Sequence, residues 1–144
     1  MTDADNPPEG FHPMPDRSPI ETPSGPFYQR EVTPGRWQMG FRVTRAKLNP
    51  MGFCHGGVLA TFADAQGAVI KMARGLAVAS PTINLTLDYL SSAEAGDWVW
   101  SEPELLRETG TLLFFQSLLK VEERVCVRVS GVYRLQRKKP LSAY

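Results

Sequence analysis

The segment Asn49-Pro50-Met51-Gly52-Phe53-Cys54-His55-Gly56-Gly57-Val58-Leu59-Ala60-Thr61-Phe62-Ala63-Asp64 sets an amide, an imidazole and two glycines just ahead of an amphipathic helix, and a carboxylate two turns inside it. The first turn of a helix carries backbone N–H groups that have no partner within the helix, at the positive end of its dipole. Glycine at that point lets another molecule come close to the backbone. A carboxylate on the same helix supplies a nucleophile or a general base. Together these are the components for attack on a carbonyl and for holding the oxyanion that results.

Periodicity extends the reading outward. Over residues 57–74, Val58, Leu59, Phe62, Ala65, Val69, Ile70, Met72 and Ala73 recur at helical spacing and predict one buried stripe, with Gly75 as the stop. The other face carries Ala60, Thr61, Asp64, Gly67, Ala68 and Lys71, most of them small enough for a second backbone or a ligand to approach. Before the helix, Trp37, Met39, Phe41 and Val43 alternate with polar residues and predict a half-buried strand over 36–48. After it come four strand patterns, at 79–90, 98–107, 111–121 and 124–136, separated by Gly-containing or acidic turns. Pro103 argues for an edge or a bulge in the second of these. The order β-α-β-β-β-β predicts an α+β fold with an antiparallel sheet. One helix cannot cover both faces of a five-stranded sheet, so a homodimer at least is expected.

Composition bounds the alternatives. A chain of 144 residues with 42% hydrophobic residues predicts one sizeable core, and a formal net charge of +1 gives no reason to expect nucleic acid or an anionic membrane as partner. No apolar run approaches the ~20 residues of a transmembrane helix. The polar, acidic start Met1-Thr2-Asp3-Ala4-Asp5-Asn6 lacks the pattern of a signal peptide, and a cytoplasmic location is expected. Residues 1–27 hold seven of the twelve prolines and read as an irregular arm ahead of a body at 28–144. Cys54 and Cys126, the two cysteines, match no zinc-ligand spacing, and no metal is expected. Cys126 reads as a packing residue. Cys54 beside His55 is a poor nucleophile pair, because adjacent side chains seldom face each other.

Asn49, six residues before His55-Gly56-Gly57, and Asp64, nine after that histidine, resemble the signature of hotdog-fold acyl-CoA thioesterases, nearest the phenylacetate-pathway (PaaI-like) subgroup of the 4-hydroxybenzoyl-CoA thioesterase superfamily. The segments Thr82-Ile83-Asn84-Leu85-Thr86-Leu87-Asp88-Tyr89-Leu90 and Ala93-Glu94-Ala95-Gly96-Asp97 are also similar to the family's. The resemblance covers about residues 37–135. It implies a hotdog fold, with the sheet wrapped around one long central helix, and hydrolysis of a thioester to a free acid and CoA. It implies that the Gly56 amide polarises the carbonyl, that Asp64 is nucleophile or general base, that Asn49 and His55 position the carbonyl or water, and that Thr82 orients the water. CoA enters as substrate, and no separate cofactor is implied. Its nucleotide is expected near Tyr89, Leu90, Ser91 and the turn between Arg107 and Thr111, with Gly57 and Phe53 also against the substrate. Two positions depart from the family pattern. Ser92 stands where a proline is usual, and Thr109-Gly110-Thr111 lacks the usual basic residue, so Arg107, Arg124, Arg128 or Lys138-Lys139 are candidate phosphate ligands. Met51, Phe53, Leu59 and Phe62 suit a medium-chain or aryl acyl group and equally suit a core. Association as a homodimer, or as a homotetramer, is implied. A non-catalytic acyl-CoA-binding protein of the same fold is the alternative. The acid Asp64 among small residues argues against it.

Overall fold

Alternating apolar residues build a sheet here, and prolines and turns decide where its strands stop. The structure, a computed structural model, describes residues 5–15 and 18–140; the side chains of Lys139 and Pro140, and the first four residues of the arm, lie outside the described residues. In chain order the elements are β1 (His12–Pro13), α1 (Glu21–Ser24), β2 (Tyr28–Thr33), β3 (Arg36–Arg42), a 3-10 turn (Arg45–Lys47), α2 (Gly56–Ala65), α3 (Gly67–Ala73), β4 (Val78–Ala79), β5 (Thr82–Tyr89), β6 (Trp98–Ser101), β7 (Glu104–Glu108), β8 (Leu112–Val121), β9 (Arg124–Arg134) and β10 (Gln136–Pro140). The main sheet runs β1-β2-β3-β6-β8-β9-β5, with β7 also on β8, while β10 pairs with β4 apart from it. Every pairing is antiparallel. The helical stretch lies across one face of this sheet, α2 against β5 and β9 and α3 against β3. That is the α+β arrangement expected from the sequence.

The sheet has eight strands rather than the expected five. One cause is Pro103, which has no N–H for the ladder. It splits the expected strand 98–107 into β6 and β7, and both lie along the same edge of β8. The other cause is the start of the chain. β2 pairs with β3, Tyr28 opposite Gly40, and β1 pairs with β2. Part of the proline-rich stretch is thus built into the sheet. Phe11 from it meets the Trp98 ring edge-on at 5.1 Å, with the Arg30 guanidinium 4.4 Å from its centroid. Pro81 likewise separates β4 from β5. The expected strand 36–48 ends at Arg42.

The predicted helix 57–74 is present from Gly56 to Ala73 with a one-residue interruption at Gln66. The Gln66 N–H reaches back only to the Ala63 carbonyl, at 3.5 Å. The helix ends as expected. Gly75 has φ +66°, its N–H donates to the Met72 carbonyl (3.2 Å), and the Leu76 N–H donates to the Lys71 carbonyl (2.8 Å). Those two bonds close a Schellman motif, for which glycine is the least strained residue. No helix among the described residues is long and apolar enough to cross a membrane.

The core between helix and sheet centres on aromatic contacts. Phe62 of α2 meets Phe41 of β3 at 4.9 Å between centroids and Phe27 at 5.2 Å, and Phe27 meets Phe41 at 5.8 Å. Phe27 is the last residue of the sequence-defined arm, yet it is as buried as the body's own core. Truncating a buried phenylalanine leaves a cavity that costs about 3–5 kcal/mol. Phe27→Ala is therefore expected to lose about 3 kcal/mol in denaturant unfolding. A loss below about 0.5 kcal/mol, the usual range for surface changes, would show that the residue is not part of the core.

Candidate active site

The 3-10 turn and the loop behind it present the start of α2. Asn49 closes that loop, its Oδ1 accepting from the Met51 N–H (3.0 Å) and the Phe53 N–H (3.1 Å). Its own N–H donates to the Phe53 carbonyl, at 2.7 Å. Gly52 makes the turn possible with φ +86°. The side-chain oxygen of Asn49 is therefore spent on the loop, and its NH2 is the group left for a ligand. Met51, at the loop's tip, is 74% exposed. Phe53 is half-buried and bridges to Glu94.

His55 is the N-cap of α2. Its Nδ1 accepts from the Gly57 N–H at 2.8 Å. With Nδ1 an acceptor, the proton of the neutral ring sits on Nε2. The Gly57 amide is thereby consumed and offers nothing to a substrate. Gly57 is glycine for a different reason, since a Cβ there would stand 2.9 Å from that Nδ1. The Val58 and Leu59 N–H groups both donate to the His55 carbonyl. Gly56 is different. Among the described residues its N–H has no acceptor, whereas its carbonyl accepts from the Tyr89 hydroxyl at 2.7 Å. The amide that the sequence reading singled out is the open one of the first turn. Burial raises the Tyr89 phenol above its ordinary pKa, so the group remains a donor.

Asp64 stands exposed at the other end of α2. Its Oδ1 accepts from the Thr82 hydroxyl at 2.7 Å, and its backbone carbonyl accepts from the Tyr133 hydroxyl at 2.6 Å. Thr82 thus aims the carboxylate directly, and only its lone pairs remain to receive a water's proton. Leu90 is exposed and bonded through its N–H to the Cys126 carbonyl. The Ser91 hydroxyl donates to the Val125 carbonyl (2.8 Å) and accepts from Arg124 (2.6 Å), which leaves it little to offer a ligand. Arg128 is held by Asp88 at 2.8 Å. Arg107 lies on β7 opposite Phe114 with no carboxylate partner among the described residues. Thr111 accepts from the Leu135 N–H, and the Arg134 N–H beside it donates to the Pro81 carbonyl, so this turn lies toward Thr82 rather than toward Tyr89.

One chain therefore sorts the predicted residues into two groups. Asn49, Phe53, His55, Gly56, Gly57, Tyr89, Leu90 and Ser91 gather at the helix start. Asp64 and Thr82 stand at its far end, with Thr111 and Arg107 toward that side. Gly56 and Asp64 are eight residues apart on one helix, about 12 Å along its axis. Tyr133 had no place in the sequence reading. It sits in an alternating apolar strand, where no local motif sets one tyrosine apart. Among the described residues no three His, Cys, Asp or Glu side chains are grouped to hold a metal.

An open amide at a glycine-rich helix start, a carboxylate further along, and an antiparallel sheet across the helix define a hotdog-fold protein built to act on an acyl carbonyl. The model of the Thioesterase superfamily matches residues 51–127, and the chain belongs to that family, as a hydrolase of thioesters. A Pseudomonas aeruginosa protein named "Putative esterase PA0474" is 30% identical over 131 residues, covering 90% of this chain and 98% of that one. Among solved structures, a hypothetical thioesterase from Streptococcus pneumoniae with coenzyme A superposes with a TM-score of 0.69 at 18% identity, over 81% of this chain and 91% of that one. A variant of the phenylacetic acid degradation protein PaaI from Thermus thermophilus gives 0.70 at 19% identity, over 82% and 99%.

Cys54 plays no nucleophilic part in this geometry. It is 5% exposed, and burial pushes its thiol up to about 12, so it stays protonated at neutral pH. Cys126 is fully buried. Both thiols are expected to resist a thiol reagent such as DTNB at pH 8 in the folded protein and to react at once in denaturant. Stoichiometric labelling of the native protein within minutes would contradict this burial.

Proposed function

We propose that this protein hydrolyses a medium-chain or aryl acyl-CoA to the free acid and CoA. The observation that carries the reading is the Gly56 N–H, open at the start of α2 and aimed where no protein acceptor stands. A backbone donor of this kind stabilises the oxyanion of a tetrahedral intermediate, and removing one from such a site costs about 10²–10³ in kcat. Asp64, its Oδ1 held by Thr82, has Oδ2 free to take a proton from water. The hydroxide so formed attacks the thioester carbonyl, whose oxygen becomes an oxyanion on Gly56. Collapse breaks the carbon–sulfur bond, and the proton held on Asp64 passes to the departing CoA sulfur, so the acid and CoA leave and the carboxylate is restored. Met51, exposed on the loop ahead of the helix start, supplies apolar surface for the acyl group.

The two groups of residues are joined by a second copy of the chain. A single reacting carbon must lie about 3 Å from both the donor and the activated water, which one α2 does not allow. β5 pairs with β9 on one side, and its outer edge is unpaired among the described residues. A two-fold axis perpendicular to the sheet, pairing that edge antiparallel with its copy, brings the Thr82 end of β5 in one protomer beside the Tyr89 end in the other. Asp64 then approaches the partner's helix start. Two such sites result in each homodimer.

Thiol release from acetyl-, hexanoyl-, palmitoyl- and phenylacetyl-CoA tests the chemistry. Asp64→Ala is expected to lower kcat by at least about 10²-fold with fold and dimer intact. Release that survives this substitution would remove Asp64 from the reaction. Mixing tests the shared site. Asp64→Ala and Asn49→Ala homodimers are each expected to be inactive, and random reassortment of the two is expected to restore about a quarter of native activity, because half the dimers then hold one intact site of two. No recovery after demonstrated subunit exchange would confine each site to one chain.

A further inference from the structure

Asp64 is gripped at two points by a single cross-strand pair. Thr82 on β5 and Tyr133 on β9 are direct Cα partners in the sheet. Thr82 bonds the Asp64 side chain at 2.7 Å and Tyr133 bonds its backbone carbonyl at 2.6 Å. One cross-strand pair, beside a register shift in β5 between Thr82 and Asn84, thus fixes both the position and the direction of one carboxylate. The residue they fix lies where the helix itself gives least support, beside the interruption at Gln66.

The surroundings of Tyr133 are arranged to keep its hydroxyl there. The residue is 3% exposed and its ring stacks on Phe115 at 5.3 Å and 8°. Gly67 makes room for it, since a Cβ at that position would lie 2.7 Å from the tyrosine ring. Burial, and then the nearby Asp64 charge, raise the phenol far above its ordinary pKa, so it keeps the proton it donates. A packing role alone needs only a flat apolar ring, which phenylalanine would provide. The buried hydroxyl on a helix carbonyl needs a reason of its own.

We infer that Tyr133 is a positioning residue for the reaction, setting the place of Asp64 through its backbone carbonyl while Thr82 sets the side chain. The inference rests on the reading of Asp64 as the catalytic carboxylate. Displacing a reacting group by about 1 Å can cost about 10²-fold in rate without weakening binding. Tyr133 touches neither substrate nor reacting atoms, so its effect belongs in kcat.

The test replaces the hydroxyl and then restores a donor. Tyr133→Phe is expected to lower kcat for thioester hydrolysis by about 10–100-fold, with KM within about twofold and the assembly state unchanged. 4-Aminophenylalanine at position 133 returns a para N–H donor and is expected to recover most of kcat. Amide hydrogen exchange over residues 64–68, which does not depend on activity, is expected to quicken in Tyr133→Phe and to slow again with the amino analogue. Gly67→Ala, which pushes the ring away by another route, is expected to reproduce the loss of kcat. A Tyr133→Phe enzyme with kcat within about twofold of native, or a loss the amino analogue does not repair, would overturn the inference. A native protein without thiol release, or an active Asp64→Ala, would instead overturn the role of Asp64. The exchange data would still show whether Tyr133 holds that segment.

Discussion

Where Gly67 faces the ring of Tyr133 the helix has room to lie close against the sheet, and much of the molecule is arranged around that approach. A Cβ at Gly67 would stand 2.7 Å from that ring, so one of the two would have to give way. Because it is absent, the stretch from Gly56 to Ala73 lies flat across the inner face. Phe62 then reaches Phe41 and Phe27, and α3 reaches β3. Beside it the Asp64 carbonyl meets the Tyr133 hydroxyl. Core packing and the placing of the carboxylate are thus two results of one contact, and close-packed interiors transmit a change in one to the other.

The helix start follows from a second local constraint, the competition for its unpaired amides. Four N–H groups lack helical partners at any N-terminus. Here the Lys47 carbonyl takes that of His55, the His55 ring takes that of Gly57, and the His55 carbonyl takes that of Val58. What remains is one amide, held at a fixed angle by a capped turn and by the Tyr89 hydroxyl on the neighbouring carbonyl. A single oriented donor of this kind loses no reorganisation energy when charge develops opposite it.

How much of this could be read from the residues varied with the range of the interaction that decides it. The helix, its Gly75 stop and the alternation of β3, β5, β8 and β9 are set by neighbours a few positions apart, and they stand where the periodicity placed them. The spacing of Asn49, His55, Gly56 and Asp64 was equally plain, because one loop and one helix carry all four. The division at Pro103 was half visible, since proline forbids a ladder bond without saying whether the strand bulges or ends. Long-range pairings were not visible. β2 carries no clean alternation and is held by its register on β3. The Tyr133 bond to the Asp64 carbonyl joins residues 69 positions apart. Gly57 read as a substrate contact because glycine is small, when its smallness serves the histidine beside it.

The two-residue strand β1 ends the main sheet on one side, and it contains Pro13. Exposed sheet edges template further strands, and natural proteins blunt them with short strands and with proline. This sheet is blunted at one end and carries the eight-residue strand β5 at the other. Such an object behaves as a chain terminator in edge-to-edge growth. It can accept one neighbour across its open side, and after that no ladder of comparable length remains for a third. Edge-to-edge growth by this route would stop at a finite size and not run on into a fibre, and the short proline-bearing strand β1 would set that limit.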